Sequence, residues 1–201
     1  LIKKNKEIIM IDQSALRGSS RSNIATYTGI LDEIRALFAK QNKVKQSLFS
    51  SNSDGACPEC KGLGFISTDL AFLDAVEVCC ENCNGSGFKP EVLQYLLNGK
   101  NITDVMSMTI NEASVFFDEH KIVNLLNRLC EVGLDYITIG QSLNTFSGGE
   151  RQRLKLATEL GKKGNIYIFD EPTTGLHGSD IAKLIRLFDK LVKDKNTVII
   201  I

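Results

Sequence analysis

The sequence carries no net charge, because 24 lysines and arginines are matched by 24 aspartates and glutamates. That excludes a strongly basic nucleic-acid arm as the main design, though not a local basic surface. No apolar run approaches the roughly 18 residues that a membrane-spanning helix requires. An export leader is missing too, since Leu1-Ile2-Lys3-Lys4-Asn5-Lys6 leads into only four apolar residues, Ile8 to Ile11. The expectation is a cytoplasmic protein with no membrane partner. The phosphate-cradling pattern Gly-x-x-x-x-Gly-Lys-Ser/Thr is also absent, for Gly99-Lys100 is followed by Asn101 and Gln94 stands five places before Gly99. What is present is an ordinary globular composition, 43% hydrophobic and 24% charged. Its 201 residues suffice for one full domain or two small ones.

The pattern along the chain is that of an α/β protein. Glu7 to Gln13 reads as a short buried strand that delivers Asp12 and Gln13 to its end, and residues 14–28 read as loop. A helix is predicted from about Thr28 to Phe38, with Ile30, Ile34, Leu37 and Phe38 inward. Residues 49–90 hold five of the six cysteines and five glycines, which marks a loop-dominated insert. Thr109 and Glu112 form a capping box, Ile122, Leu125, Leu126 and Leu129 an apolar helical stripe, and Gly133 a helix stop. From Thr145 a Gly-Gly turn, a helix to about Leu160 and a strand at Ile166–Phe169 follow. A further helix has Ile181, Leu184, Ile185, Phe188, Leu191 and Val192 on one face, and Thr197 to Ile201 reads as a buried strand. Strand–helix–strand at this spacing predicts a parallel sheet. The non-Met start and the apolar last strand make a segment of a longer protein the expectation.

Cys57-Pro58-Glu59-Cys60 and Cys80-Glu81-Asn82-Cys83 are two knuckles with 19 residues between them, the spacing of a four-cysteine zinc site. Two intervening residues let both thiolates of a knuckle face one ion, and four thiolates complete the tetrahedron that Zn²⁺ accepts. Disulfides are disfavoured without an export signal. Cys79 stands beside the second knuckle, where regular spacing favours Cys80, and Cys130 reads as a core residue of its helix. The runs Cys57-x-x-Cys60-x-Gly62-x-Gly64 and Cys80-x-x-Cys83-x-Gly85-x-Gly87 resemble the repeats of the DnaJ co-chaperone family, which has four where this chain has two.

A second constellation concerns nucleotides. Ser147-Gly148-Gly149-Glu150 opens a helix whose free N–H groups suit an anion, and the two glycines permit close backbone approach. Farther on, the apolar strand Ile166–Phe169 ends in Asp170-Glu171. Adjacent carboxylates at a strand end can divide the work, one holding Mg²⁺ and the other polarising a water.

With these motifs in this order, the sequence resembles the ATP-binding-cassette (ABC) superfamily and, within it, the UvrA family of DNA-repair ATPases. Asp12-Gln13-Ser14, Arg21-Ser22-Asn23, Ala25 to Gly29, the knuckles, Lys155 to Leu160 and Asp170 to His177 carry the likeness over nearly the whole chain. The resemblance implies a partial ABC-type ATPase domain, the latter part of a second nucleotide-binding domain, with a helical signature region and an inserted zinc module. Its segments would be 1–48 (Q-loop and edge of the ATP-binding core), 49–90 (zinc insert), 91–144 (helical signature region) and 145–201 (core with signature, Walker B and D-loop). Ser147, Gly148, Gly149 and Glu150 would be the signature, Gln13 the Q-loop residue sensing Mg²⁺ and γ-phosphate, and Gly175-Leu176-His177 the D-loop. Asp170 and Glu171 would be the catalytic Walker B end.

The implied cofactors are ATP, Mg²⁺ and Zn²⁺. The implied partners are damaged duplex DNA, a UvrB-like repair protein and a second copy of the full-length chain. Phe146 replaces the usual Leu, Ala15-Leu16-Arg17-Gly18 replaces a Pro-Ile-Gly pattern, and a switch histidine would fall beyond Ile201. Without a phosphate cradle these residues alone are expected to lack ATPase activity. A paralogue protecting against DNA-binding antibiotics, a DnaJ-like chaperone module and a transporter ATPase subunit are the rival readings. Between Phe49 and Pro90 six acids face only Lys61 and Lys89, so the insert is a poor DNA surface. Arg17, Arg21 and the lysines of 40–45 are the better phosphate contacts.

Overall fold

Ile166-Tyr167-Ile168-Phe169 forms the middle strand of a three-stranded parallel sheet in the computed structural model, which describes residues 7–14, 16, 19, 21–68, 76–161, 165–174 and 178–201. In chain order the elements are β1 (Ile8–Ile11), α1 (Ile24–Thr28), α2 (Ile30–Asn42), β2 (Phe65–Thr68), β3 (Val76–Cys79), α3 (Ile102–Met106) and α4 (Ile110–Phe116). They continue with α5 (His120–Glu131), α6 (Gly148–Glu159), β4 (Ile166–Phe169), α7 (Gly178–Lys193) and β5 (Thr197–Ile200). They form two units, Leu1–Thr28 with Met108–Ile201, and Gly29–Ser107.

The first unit is built on the sheet β1-β4-β5. Ile8 pairs with Ile166 and Ile11 with Phe169, while Ile166 pairs with Thr197 and Phe169 with Ile200. Ile166, Tyr167 and Phe169 of β4 are buried, as a central parallel strand requires. The flanking strands differ from the sequence expectation. β1 is buried only at Ile9 and Ile11, with Ile8 and Met10 exposed, and on β5 Ile199 and Ile200 are exposed rather than buried. Each has β4 as its one strand partner among the described residues, so neither is enclosed as β4 is.

The helices of this unit follow local signals. Thr109 and Glu112 make both bonds of the predicted capping box, Thr109 N–H to Glu112 Oε2 at 2.8 Å and Glu112 N–H to Thr109 Oγ1 at 3.1 Å. Gly133, at φ 77°, ends α5 as predicted: its N–H donates to the Cys130 carbonyl, and the Leu134 N–H reaches back to Leu129. Within α5, Ile122, Leu126 and Leu129 are buried, whereas Cys130 is only half-buried. On α7 the buried stripe is Leu184, Leu187, Phe188 and Leu191; Ile185 and Val192, predicted inward, are exposed. The observed spacing of 3, 1 and 3 is a single helical face, and Phe188 fixes it by meeting Phe169 of β4 at 4.7 Å between ring centroids.

In the second unit, α2 starts at Ile30, directly after Gly29 at φ 77°, and runs on to Asn42, four residues past the predicted end at Phe38. Phe38 packs on Phe49, which in turn meets Tyr95 edge-on. The cysteine-rich segment is more ordered than the expected loop: β2 and β3 pair antiparallel from Phe65↔Cys79 to Thr68↔Val76, favoured by Ile66, Thr68, Val76 and Val78. An unforeseen capping box, Asn101 with Asp104, starts α3.

The α7 register is directly testable. Leu187→Ala should destabilise the sheet unit by about 2–5 kcal/mol and Ile185→Ala by less than about 0.5 kcal/mol, measured by denaturant unfolding. The reverse order would contradict the observed face.

Candidate functional site

The start of α6 is set by Ser147. Its hydroxyl accepts from the Glu150 N–H at 3.3 Å, and its own N–H donates to Glu150 Oε2 at 2.8 Å. The other carboxylate oxygen of Glu150 accepts the Tyr136 hydroxyl at 2.6 Å. Partial burial opposes ionisation of Glu150, but the Tyr136 hydroxyl, the Ser147 N–H and Arg153 together hold its pKa below the usual carboxylate value. Glu150 thereby shapes the helix end.

The same helix end meets the loop after β1 and the end of β4. The Gln13 side chain lies directly against Gly148: a Cβ there would stand 2.5 Å from its Oε1, so a larger residue would push the Gln13 amide aside. Gln13 Nε2 in turn donates to the Glu171 carbonyl at 3.4 Å. Asp170 and Glu171 are exposed, immediately beyond β4. The Asp170 N–H donates to Ile11 at 3.2 Å, and the Glu171 N–H donates to Ile201 at 3.0 Å, which continues the strand pairing past the sheet. Glu171 has φ 45°, a left-handed backbone that costs a non-glycine residue about 1–3 kcal/mol. Thr174 Oγ1 donates to Glu171 Oε2 at 3.3 Å. Gln13, Ser147, Gly148, Gly149, Asp170 and Glu171 thus gather at the carboxyl ends of β1 and β4, the edge of a parallel sheet where ligands bind. Gly175, Leu176, His177 and Arg17 lie outside the described residues; Arg21, Lys40, Lys43 and Lys45 are exposed.

Two neighbours of this cluster had no local signal. Gln152, 4% exposed, donates through Nε2 to the Ile11 carbonyl at 3.0 Å and the Asp170 carbonyl at 2.9 Å. Lys155 Nζ reaches the carboxylate of Asp12 and the hydroxyl and carbonyl of Ser14. Hydrogen bonding from Lys155 and then Ser14 holds the Asp12 pKa below its ordinary value.

In the second unit the four knuckle cysteines are buried, and their Sγ atoms all lie within 4.8 Å of one another. Cys57 and Cys80 sulfurs are 3.9 Å apart and Cys60 and Cys83 sulfurs 3.7 Å. A tetrahedral ion with bonds of about 2.3 Å spaces its sulfurs about 3.8 Å apart, so the donor set fits Zn²⁺. The two repeats interlock by equivalent bonds. Cys57 N–H donates to the Gly87 carbonyl and Cys80 N–H to that of Gly64, both at 2.9 Å; Gly64 N–H and Gly87 N–H donate to the sulfurs of Cys60 and Cys83. Gly64 and Gly87 sit at φ 83° and 73° against backbone, where a side chain does not fit. Burial opposes ionisation of Cys57, but N–H groups of Cys60 and Glu59 and the Asn82 amide outweigh it and bring the thiol to about 6. Burial pushes Cys80 up to about 12. Cys79 is exposed and outside the cluster.

The family model described as ABC transporter matches residues 56–174, more than half of the chain. The chain belongs to the ABC family. UvrABC system protein A of Staphylococcus aureus (strain COL) is 47% identical over 205 residues, 97% of this chain. The protein of that name from Streptococcus pyogenes serotype M1 is 45% identical over 206 residues, 98% of this chain. The chain spans 22% of the length of these relatives. The crystal structure of UvrA2 from Deinococcus radiodurans matches with a TM-score of 0.86 at 43% identity, covering 98% of this chain and 25% of that one. This ABC segment is therefore UvrA-like over nearly its whole length, with the α/β fold of the family.

The Glu150 bond is a measurable feature of this ABC segment. Tyr136→Phe should raise the Glu150 pKa toward the ordinary carboxylate value, read by NMR titration. Because the folded-state pKa is the lower one, the associated stability, at most about 1 kcal/mol at a partly exposed site, is present above the unfolded pKa. It is lost as pH falls through the folded value. A Glu150 titration unchanged by the substitution would contradict this assignment.

Proposed function

We propose that this chain is part of an ATPase acting in nucleotide excision repair, in which ATP binding and hydrolysis are coupled to recognition of damaged duplex DNA. In this reading Asp170 holds Mg²⁺, Glu171 polarises the attacking water and Gln13 senses the metal and γ-phosphate. Ser147, Gly148, Gly149 and Glu150 close over a nucleotide held by a second copy. The contact of Gln13 with both Gly148 and the Glu171 main chain is the observation that carries it, because it joins a helix N-terminus suited to phosphate to the residue whose carboxylate is suited to water. The 47% identity to UvrABC system protein A supports the repair role. A UvrB-like protein is the proposed loading partner, and Arg17, Arg21 and the lysines of 40–45 the proposed phosphate contacts. The proposed segments remain 1–48, 49–90, 91–144 and 145–201, and residues 1–201 alone should not turn over ATP, for want of a phosphate cradle.

Zinc held by Cys57, Cys60, Cys80 and Cys83 would supply a structural crosslink rather than a reaction step. Elemental analysis should find a single zinc per chain, retained in Cys79→Ser and lost in Cys80→Ser; equal loss in both would contradict the ligand set. Its removal by chelator should unfold the insert 49–90, and retention should weaken as pH falls, because protons compete for the thiolates.

The ATPase reading is tested by Glu171→Gln in the full-length protein. Turnover should fall by at least about 100-fold while ATP binding stays within about twofold, since the change removes a general base and little else. Unchanged turnover would overturn it.

A further inference from the structure

We infer that Gln152 is a positioning residue for Glu171, tying the signature helix α6 to the peptide that aims the carboxylate. The inference rests on the reading of Glu171 given above. Both hydrogens of the Gln152 amide are engaged, one on Ile11 at the end of β1 and one on Asp170 at the end of β4. The Asp170 carbonyl belongs to the peptide linking Asp170 to Glu171, so the bond fixes one side of the residue held at φ 45°. Gln13 holds the other side through the Glu171 carbonyl.

Three residues along the same face of α6, Lys155 fastens Asp12 and Ser14, the residues on either side of Gln13. One helix, whose first turn is Gly148-Gly149-Glu150, therefore grips the supports of both polar groups, Glu171 through Gln152 and Gln13 through Lys155. A nucleotide drawing on the helix N-terminus loads the same element that orients the carboxylate. Gln152 itself touches neither reactant: it is buried behind the strand ends.

The test is a double-mutant cycle in the full-length protein. Gln152→Met keeps length and apolar volume but donates nothing. It should lower kcat for ATP about 10–100-fold with KM within about twofold, as expected when a reacting group is slightly misplaced. On a Glu171→Gln background, single-turnover phosphate release should lose no more than about twofold further, because the group that Gln152 positions is already gone. Parental kcat in Gln152→Met, or an equal loss on both backgrounds, would overturn the inference. If Gln152→Met loses its cooperative thermal transition, Gln152→Asn, which keeps a buried amide one methylene shorter, is cycled against Glu171→Gln, where an equal loss on both backgrounds would overturn it and a loss confined to the parental background support it. Glu171→Gln turning over ATP like the parent would defeat the reading of the site itself. An inactive Glu171→Gln beside a fully active Gln152→Met would defeat this inference alone.

Discussion

The buried amide of Gln152 bridges two strands whose ends lie far apart in sequence, and the candidate nucleotide site is arranged around that bridge. β1 and β4 are parallel neighbours, so their carboxyl ends emerge side by side with backbone carbonyls that need donors. Leaving such a group unpartnered in the interior costs about 1–3 kcal/mol; Gln152 supplies the donor for the Asp170 carbonyl and a second one for the Ile11 carbonyl, which also accepts the Asp170 N–H. Because Gln152 sits just past the first turn of α6, satisfying the strands also fixes where Ser147, Gly148 and Gly149 stand. The glycine at 148 then allows Gln13 to come against the helix, and Gln13 reaches Glu171. Site geometry and sheet termination are one structural solution.

The cysteine-rich unit meets a different constraint. Its knuckle segments contain few large apolar side chains, too few to close a core by burial alone. Four buried sulfurs within 4.8 Å of one another gather there, and the two Cys-x-x-Cys-x-Gly-x-Gly repeats brace each other by exchanging equivalent backbone bonds. Gly64 and Gly87 are obligatory for the same reason, since each runs against the backbone of the other repeat. Amide donors to sulfur lower the cost of gathering thiolates in a buried place.

What could be read from the sequence was local. The knuckles, the Thr109–Glu112 box, the Gly133 stop and the strand ending at Asp170 are signals spanning a few residues, and each lies where its spacing predicts. The inward face of α7 was misassigned because Ile185 and Leu187 are both apolar, and only contact with the sheet, through Phe188 on Phe169, decides between them. The β2–β3 pairing was hidden by the glycine-rich knuckles beside it. The sequence carries no local signal of what Gln152 and Lys155 bond to, for a polar residue on a helix looks solvent-facing until its partners 141 and 143 positions away are known. β5 was found but its burial was not, since strand pattern gives conformation and not neighbours.

Through Gln152, Lys155 and Gln13, the first turn of α6, the loop after β1 and the turn carrying Glu171 are tied into one hydrogen-bonded unit. Amide hydrogen exchange in the full-length protein, with and without ATP, reads this directly. The segments containing Ser147–Glu150, Asp12–Ser14 and Asp170–Thr174 should gain protection together on nucleotide binding. Protection gained by one of these segments while the other two exchange as before would contradict it.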